Sequence, residues 1–394
     1  MAVCVRNWQS VVESFKQQQP YVEIELQPGQ SNPDSTLHDI FQIPAHLLEV
    51  YVDRGRLFDL TELDCRPVDE SSFYASVSAA VQYAGKCWGV PVLVSPSWLC
   101  FNRRYAPLVG ALEQSGSFWE FLERLKHISQ NLEGTTAEAA LVSNFDILSL
   151  LTLAGLTGNQ RGEEVIESLS AQEAFFSRLE PYFRDARIFW RPPVADAWLG
   201  FSKAAQLERR VVTGETVFLS NSTNIAMLLN RKEWAAGELQ FAMFPLEPAG
   251  NTTLSANLNC VSATTRFPLE CADFLAFLAS EQVQNMFAAA GIWVGHRGAF
   301  STFQNNMPQL GWERLRDATE HGRTMRTKYP FLIELITQVV NPEIFLWQRH
   351  AIPLEQALLN IDRKSKFFIR AAKSEPAAVP RTSAAATNYA DSTL

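Results

Sequence analysis

Short apolar stretches alternate with helical stripes along the N-terminal part of the chain. Residues 2–6 and 22–26 alternate apolar and polar side chains, which predicts two short strands. Between them, residues 8–17 carry apolar side chains at helical spacing. Strand, helix and strand at such short intervals predict a parallel sheet with a right-handed crossover. A third strand over residues 39–43 and a helix over residues 45–52 follow.

Residues 83–105 combine two apolar strands with a polar corner between them. The strands are predicted over residues 88–94 and 98–102, and the corner is Ser95-Pro96-Ser97. Two prolines each remove a backbone donor, so one uninterrupted central strand is excluded. We therefore expect the chain to pass between two structures here. Hydroxyls beside an indole suit an uncharged hydroxylated ligand, and a buried edge strand with an ordinary turn is the alternative.

Helical patterns dominate the remainder of the chain, with a few strands between them. Residues 118–128 carry an apolar stripe behind Ser117, which is suited to cap the first turn. Residues 210–219 predict a helix end, a turn at Gly214 and a strand. We also predict helices over residues 144–156, from 170 onwards, over 271–278, 283–287, 312–323, 330–339 and 353–369, and strands over 239–246 and 254–262.

Polar side chains follow or interrupt several of these strands. The run from Ser220 to Thr223 comes directly after a predicted strand, where ligands often bind in open α/β sheets. A plain helix cap is an equal alternative for this run. Trp190 and Trp198 flank a pair of prolines and are placed to reach a groove, although core packing is the favoured reading for large aromatic side chains.

Length and charge narrow the class of protein. A chain of 394 residues exceeds the size at which one core keeps growing, so two domains are expected. A net charge of -8 argues against a nucleic-acid surface, which needs a concentrated basic face. No apolar run reaches the length of a membrane span. The N-terminus also lacks the pattern of a secretory signal. We therefore expect either a cytosolic chain or an exported one whose signal peptide has been removed.

The sequence lacks the short motifs of common enzymes and metal sites. The six cysteines show no metal-ligand spacing, and they favour a reducing compartment. The histidines are expected to be surface or capping residues, and Glu163 and Glu164 to lie on a solvated face. We predict no catalytic residues, no metal and no cofactor. Two catalytic acids brought together only by the fold would make a glycan-processing enzyme, which is the least favoured alternative.

Several sequence blocks follow one another in a recognisable order. The first half contains VVESFKQQQPYVEIEL (11–26), DIFQIP (39–44), GRLFDLTEL (55–63), GKCWGVPV followed by SWLCFNRR (85–104), and FWEFLERLKHIS (118–129). The second half contains VVTGETVFLSNST (211–223), FAMFPLEP (241–248) and ECADFLAFLASEQVQNMFAAAGIWVGHRGAF (270–300). The order of these blocks, over approximately residues 2–370, resembles the family 1 extracellular solute-binding proteins, the sugar-binding receptors of ABC importers.

The resemblance implies the type II periplasmic-binding-protein-like fold, in which two α/β lobes of mixed sheets flanked by helices close on a ligand. Lobe 1 is expected to contain approximately residues 1–105 and 220–300. These ranges include the inter-lobe crossings and the segments that return to lobe 1. Lobe 2 is expected to contain residues 106–219 and parts of 220–300. Residues 301–373 would form a helical region packed across the lobes, and residues 374–394 a disordered tail without periodicity.

The resemblance also implies the position of the ligand site. Carried onto this chain, the residues that line the cleft in the family, together with the groove candidate Trp198, are Gln42, Pro44, Ser95, Ser97, Trp98, Trp198, Ser220, Asn221, Ser222, Asn257, Asn259 and Trp293. Hydroxyls, amides and indoles with few charges suit a neutral carbohydrate better than a phosphate or an amino acid. The implied protein is a monomer that binds a mono- or oligosaccharide and, if exported, ABC-transporter permease subunits, without contacting nucleic acid.

Two departures from the family pattern affect these expectations. Val294 replaces the usual proline of the late turn, and asparagines stand where paired glycines are frequent near Asn257. A periplasmic or extracytoplasmic location is implied by the family, whereas the six cysteines and the absent signal favour the cytoplasm. The alternative function is therefore a cytosolic sugar-sensing domain of a transcriptional regulator. An upstream DNA-binding segment in the reading frame would support it, and an upstream lipoprotein signal would exclude it.

Overall fold

The strands of the chain divide between two larger sheets, and this division produces two lobes. The computed structural model describes residues 2–27, 38–63, 69–112, 115–133, 135–143, 147–189, 210–221, 239–242, 252–306 and 312–374. Helices pack against each larger sheet, so the architecture is α/β, as predicted. Each sheet combines strands from distant parts of the sequence, and each lobe is therefore assembled from discontinuous segments.

The described helices and strands are numbered in chain order. The N-terminal elements are α1 (Ala2–Gln18), β1 (Ile40–Pro44), α2 (Leu48–Asp53), α3 (Ala75–Ala80), β2 (Gln82–Tyr83), β3 (Lys86–Cys87), β4 (Val90–Pro96), β5 (Trp98–Asn102), α4 (Ala106–Leu112), α5 (Phe118–Gln130) and β6 (Ala139–Ser143). The elements that follow are α6 (Ile147–Leu153), α7 (Gly162–Glu167), α8 (Glu173–Phe183), β7 (Thr216–Asn221), β8 (Leu239–Ala242), β9 (Leu254–Val261), α9 (Pro268–Ala279), α10 (Glu281–Ala289), α11 (Phe300–Asn306), α12 (Trp312–His321), α13 (Leu332–Leu335), α14 (Asn341–Gln348) and α15 (Leu354–Ser374).

The N-terminal helix α1 corrects the predicted strand, helix and strand opening. Residues 2–6 are helical, and residues 22–26 form no strand. Five residues are too few to separate alternation from a helical period, and the apolar series at Val5, Trp8, Val12 and Phe15 continues the helical spacing through the first turn. Because α1 buries Val12 and Phe15 in the core of the first lobe, tertiary packing extends the helix.

The sheet of the first lobe is antiparallel and has the order β1-β9-β4. The parallel sheet predicted from residues 2–6 and 22–26 does not form, because neither segment is a strand. The sheet of this lobe is antiparallel because β9, from later in the chain, lies between the two earlier strands. β4 forms the edge of the described sheet, where proline is tolerated. Its register shifts between Pro91 and Leu93, which agrees with the predicted interruption by proline.

The sheet of the second lobe is mixed and has the order β6-β7-β5-β8. β6 and β7 are parallel, whereas β5 is antiparallel to both β7 and β8. The predicted turn before β7 is confirmed, and Gly214 adopts a φ of 75° that favours glycine. Strands β4 and β5 are separated by a single residue, Ser97, yet they belong to different sheets.

Two apolar cores support these sheets. The first contains buried residues of α1, β1, β4 and β9 together with helices α9 to α12. The second contains buried residues of α5, α8 and β7 together with helices α13 to α15. The C-terminal helical region is therefore shared, because α12 packs on the first lobe and α13 to α15 pack on the second.

Several helices agree with the apolar periodicity that predicted them. α5 covers the predicted residues 118–128, and the Ser117 hydroxyl accepts a hydrogen bond from the Glu120 backbone N–H at 3.2 Å. α9, α10, α12 and α15 likewise lie over or beside their predicted segments. Ser374, the first residue of the predicted tail, ends α15, and residues 375–394 lie outside the described part.

Neither a membrane-spanning helix nor a cluster of metal-binding side chains occurs among the described residues. No described helix is both long enough and apolar enough to cross a bilayer. Within the same residues, no group of three or more His, Cys, Asp or Glu side chains is arranged to hold a metal ion.

We predict that Trp347→Ala lowers the free energy of unfolding of the second lobe by about 3–5 kcal/mol. Trp347 is fully buried, stacks on Phe183 with ring centroids 5.6 Å apart, and meets the edge of Phe176 at 5.9 Å. Urea unfolding monitored by fluorescence measures the change. The neighbouring Leu346→Ala is the control, because Leu346 is 38% exposed and its truncation should cost less than about 1 kcal/mol. Equal costs for the two variants would contradict the assigned core.

Candidate functional site

Three backbone segments connect the lobes and lie side by side. We call them the hinge, and they are residues 96–98, 252–254 and 322–324. The Ser97 N–H donates to the Thr253 carbonyl at 2.8 Å. The Leu254 N–H donates to the Arg323 carbonyl, and the Arg323 N–H donates to the Thr252 carbonyl, each at 2.8 Å. The polar corner in residues 83–105 is thus the first of three hydrogen-bonded crossings between the lobes.

The hinge encloses two of the predicted ligand residues, Ser97 and Trp98. Ser97 is fully buried, and its hydroxyl forms a hydrogen bond with the Thr253 hydroxyl. Trp98 is also fully buried and packs within the core of the first lobe. In this conformation both side chains support the hinge from inside the protein. Ser95 is half-buried, and its enclosed hydroxyl has no hydrogen-bond partner among the described residues.

One face of the first lobe's sheet gathers five of the predicted ligand residues. β9 directs Leu254, Ala256, Leu258 and Cys260 to the core, so Asn257 and Asn259 lie on the opposite face. The register places Gln42 opposite Asn259 and Pro44 opposite Asn257. On the other side of β9, Ser95 pairs with Ser255. We call Gln42, Pro44, Ser95, Asn257 and Asn259 the polar sheet face.

The polar sheet face contains amides and a hydroxyl but no charged side chain. Asn259 is 5% exposed, and its Nδ2 lacks a hydrogen-bond partner among the described residues. Gln42 and Asn257 are half-buried, and Pro44 is exposed. A buried amide without a partner is energetically costly in protein, and a ligand hydroxyl would satisfy it.

The predicted residues of the second lobe are only partly described. In β7, Ser220 pairs with Leu99 and Asn221 pairs with Trp98, so this strand ends beside the hinge. The backbone therefore brings this end of β7 to the boundary between the lobes. Ser222 and Trp198 lie outside the described residues.

Trp293 belongs to an aromatic stack inside the first lobe. Its ring is parallel to that of Trp312, with centroids 5.6 Å apart, and its Nε1–H donates to the Thr319 hydroxyl at 2.9 Å. Only 2% of the residue is exposed. In this conformation the Trp293 ring therefore packs on other side chains and presents no open face to the cleft.

A polar cavity of about 240 Å³ lies between the lobes, beside the third hinge segment. The first lobe contributes Glu49 of α2, and the remaining lining comes from the second lobe and the third crossing. The lining residues are Glu49, Thr152, Thr157, Gly158, Asn159, Gln160, Arg161, Arg323, Thr324, Met325 and Arg326. None of the predicted ligand residues is among them, so this cavity is separate from the polar sheet face.

An ion pair crosses this cavity from one lobe to the other. Arg161 Nε lies 2.9 Å from Glu49 Oε2, and the Glu49 side chain is only 8% exposed. The hydrogen bond from Arg161 to Glu49 raises the pKa of the arginine. Arg323 donates a second hydrogen bond across the same space to the Asn159 side chain. These contacts join α2, the loop before α7 and the hinge.

Glu163 of the second lobe forms hydrogen bonds with the segment that follows the third crossing. It is therefore buried, contrary to its predicted solvated position. The residue is 6% exposed, and its carboxylate accepts from the Thr327 hydroxyl at 2.6 Å and from the Lys328 N–H at 3.0 Å. The Thr327 N–H in turn donates to the His46 carbonyl of the first lobe at 3.1 Å. Glu164, as predicted, remains largely exposed.

Arg326, which follows the third crossing, forms hydrogen bonds with the first lobe. Its Nη2 donates to the carbonyls of Ala79, Ala80 and Gln82 at 2.9, 3.1 and 2.9 Å. The first two carbonyls belong to the last turn of α3 and that of Gln82 lies two residues beyond it, at a helix end where a cation is favoured by the helix dipole. Burial lowers the pKa of Arg326. The sequence offers no local signal for this cap, because the arginine is distant from α3 along the chain.

Residues 11–295 match the family described as bacterial extracellular solute-binding protein. The match covers more than half of the chain, and the protein belongs to this family. None of the curated proteins matches the chain. Together with the two sheets and three crossings, the family defines a solute-binding protein with the type II periplasmic-binding-protein fold, as the sequence resemblance implies.

Solved structures of sugar-binding proteins share this fold over nearly the whole chain. Maltose-bound MalE3 of T. maritima is 19% identical with a TM-score of 0.66, covering 92% of this chain and 96% of that chain. An ABC substrate-binding protein from Listeria monocytogenes, in complex with cycloalternan, has 16% sequence identity and a TM-score of 0.68. The alignment covers 93% of this chain and 96% of the Listeria chain. The GacH receptor of Streptomyces glaucescens, solved with acarbose, has 17% sequence identity and a TM-score of 0.64. The alignment covers 94% of this chain and 96% of the GacH chain.

The enclosed imidazole of His46 predicts a stability that depends on pH. Burial lowers the pKa of His46 from 6.5 to about 4, and its Nε2 has no partner among the described residues. The unfolded chain therefore binds a proton between these values that the folded chain does not. We expect the free energy of unfolding to fall by about 3 kcal/mol as the pH is lowered from 6.5 to 4.

Urea unfolding at several pH values, with His46→Asn as the comparison, measures this contribution. The asparagine variant should lose less stability than the wild-type protein over the same pH range. Identical pH profiles would show that His46 is not the responsible group.

The ion pair between Glu49 and Arg161 predicts a shift in lobe arrangement when it is broken. Arg161→Ala leaves the Glu49 carboxylate without this partner, so the contact no longer favours the observed arrangement. We expect a larger radius of gyration for the unliganded variant by small-angle X-ray scattering. Lys366→Ala is the control, because it removes an ion pair within a single helix. An unchanged radius in Arg161→Ala would exclude a bridging role.

Proposed function

We propose that the protein binds a neutral carbohydrate between its lobes and that the lobes close on the ligand. The observation that supports this most directly is the polar sheet face, in which amides and a hydroxyl lie together without a charged side chain. Such groups exchange hydrogen bonds with sugar hydroxyls, whereas a phosphate or carboxylate would require a charged partner. The position of this face beside the hinge makes it one wall of the inter-lobe cleft.

The fold relationships support the same class of ligand. MalE3 was solved with maltose, the Listeria protein with cycloalternan and the GacH receptor with acarbose, each of which is a carbohydrate or a carbohydrate-like compound. We infer that this chain is the extracytoplasmic, monomeric solute-binding component of an ABC sugar importer. In that role it delivers its ligand to the permease subunits and carries out no catalysis.

Cysteine chemistry favours a second location for the same binding function. Cys260 and Cys271 are free thiols, and both are buried. Burial raises the pKa of Cys271 to about 11, so this thiol is unreactive at neutral pH. Free thiols are typical of reducing compartments. A cytosolic sugar-sensing domain is therefore the alternative, and fractionation of cells followed by thiol labelling separates the two locations.

Thermal denaturation in the presence of a sugar panel tests carbohydrate binding. The panel contains glucose, maltose, maltotriose, trehalose and mannitol. A sugar that binds only the folded protein stabilises it by about 2.7 kcal/mol at a concentration of 100 Kd, which raises Tm. We expect at least one sugar to raise Tm, and we expect Asn259→Ala to abolish this increase.

Asn131→Ala serves as the matched control, because Asn131 is an exposed amide of the second lobe, distant in sequence from the cleft strands. It should retain the full increase in Tm. If no sugar raises Tm, the proposed ligand class is wrong. If a sugar raises Tm equally in Asn259→Ala, the ligand class stands and the polar sheet face is not its site.

A further inference from the structure

The last helix, α15, presents two chemically different faces. Its inner face buries Ala357, Leu358, Ile361 and Ile369 in the core of the second lobe. The opposite side is exposed and combines cationic with apolar side chains. We call it the basic face of α15, and it consists of Leu359, Arg363, Lys366, Phe367 and Arg370. These residues recur at spacings of three, four, seven and eight along the helix, which places them on one side.

The apolar members of this face are unusually exposed. Phe367 is 75% exposed and Leu359 is 60% exposed. They are two of the nine exposed large hydrophobic residues of the described chain. An exposed aromatic and an exposed aliphatic side chain two turns apart on one helix face indicate a surface that makes contact with something apolar.

The charge of this face is opposite to that of the whole protein. Five Lys or Arg residues occur within residues 363–373, although the chain carries a net charge of -8. Lys364 pairs with the buried carboxylate of Glu343, and Lys366 pairs with Asp362 at 2.8 Å. Arg363 and Arg370 are exposed and have no ion-pair partner among the described residues. Their charges are therefore available to an anionic surface.

We propose that the basic face of α15 docks on an anionic membrane surface. Phe367 and Leu359 enter the interfacial region of the lipid, and Arg363 and Arg370 contact the phosphate headgroups. Amphipathic helices with this combination of cations and exposed aromatic residues bind such interfaces, and each cation near the surface contributes separately. The positive charge of this face, in a chain whose net charge is -8, is complementary to anionic headgroups.

This arrangement orients the whole molecule on the membrane. The second lobe faces the lipid, because α15 packs on the core of that lobe. The proposal requires no particular ligand in the cleft and is independent of carbohydrate binding. Membrane docking and sugar binding can therefore fail or succeed separately.

Cosedimentation of the full chain with lipid vesicles tests the proposal. One set of vesicles contains phosphatidylcholine alone, and the other contains equimolar phosphatidylcholine and phosphatidylglycerol. We expect the protein to sediment with the second set at about 0.1 M salt and to be released at about 1 M salt, where charges are strongly screened. Arg363→Gln and Arg370→Gln should each lower the partition constant about fivefold. Phe367→Ser should lower it about tenfold.

Phe267→Ser is the matched control, because Phe267 is 54% exposed but precedes α9 on the first lobe. It should partition like the wild-type protein, and all four variants should keep the wild-type Tm because they alter exposed side chains. Equal binding to both vesicle sets, or no binding to either, would overturn the proposal. Dimerisation that is seen by sedimentation velocity and lost in Phe367→Ser would assign the face to a second copy of the chain.

Discussion

The structure depends on the hydrogen-bonded contact among the three segments that cross between the lobes. Ser97, Thr253 and Arg323 lie side by side, and their backbone groups satisfy one another across the hinge. Each crossing runs from one lobe to the other, so the lobes cannot change their arrangement without bending these three segments together. A change of lobe arrangement is therefore confined to rotation about a narrow backbone ribbon, which is the geometry of hinge closure.

β9 lies between β1 and β4, and it connects the hinge directly to the polar sheet face. β9 follows the second crossing directly, and its register sets Asn259 opposite Gln42. Residues separated by more than two hundred positions thereby form one polar surface beside the hinge. The contacts of Glu49, Arg161 and Glu163 form on separate elements and hold the same boundary from another side. The polar sheet face and these contacts therefore occupy adjacent parts of one boundary between the lobes.

Local signals in the sequence predicted the local parts of this structure. The apolar stripe and Ser117 cap of α5, the turn at Gly214 and the interruption by prolines in residues 83–105 are all present. The helix over residues 8–17 was predicted, but its start at residue 2 was missed because five alternating residues do not define a period. The strand order of the first sheet could not be predicted, because the partner of β1 comes from more than two hundred residues later in the chain. Trp293 shows the same limit, since sequence does not reveal whether an indole meets a cleft or a stack such as that with Trp312.

The burial of charged side chains at the boundary between the lobes was not predicted from the sequence. Glu163 lies in a polar stretch that is typical of a solvated helix start, and only the arrival of Thr327 and Lys328 encloses it. The central claim is that a carbohydrate closes the lobes on the polar sheet face. Small-angle X-ray scattering with and without a sugar that raises Tm tests it most directly. The account predicts a smaller radius of gyration for the complex and no change for Asn259→Ala, whereas a bound sugar that leaves the wild-type radius unchanged would contradict it.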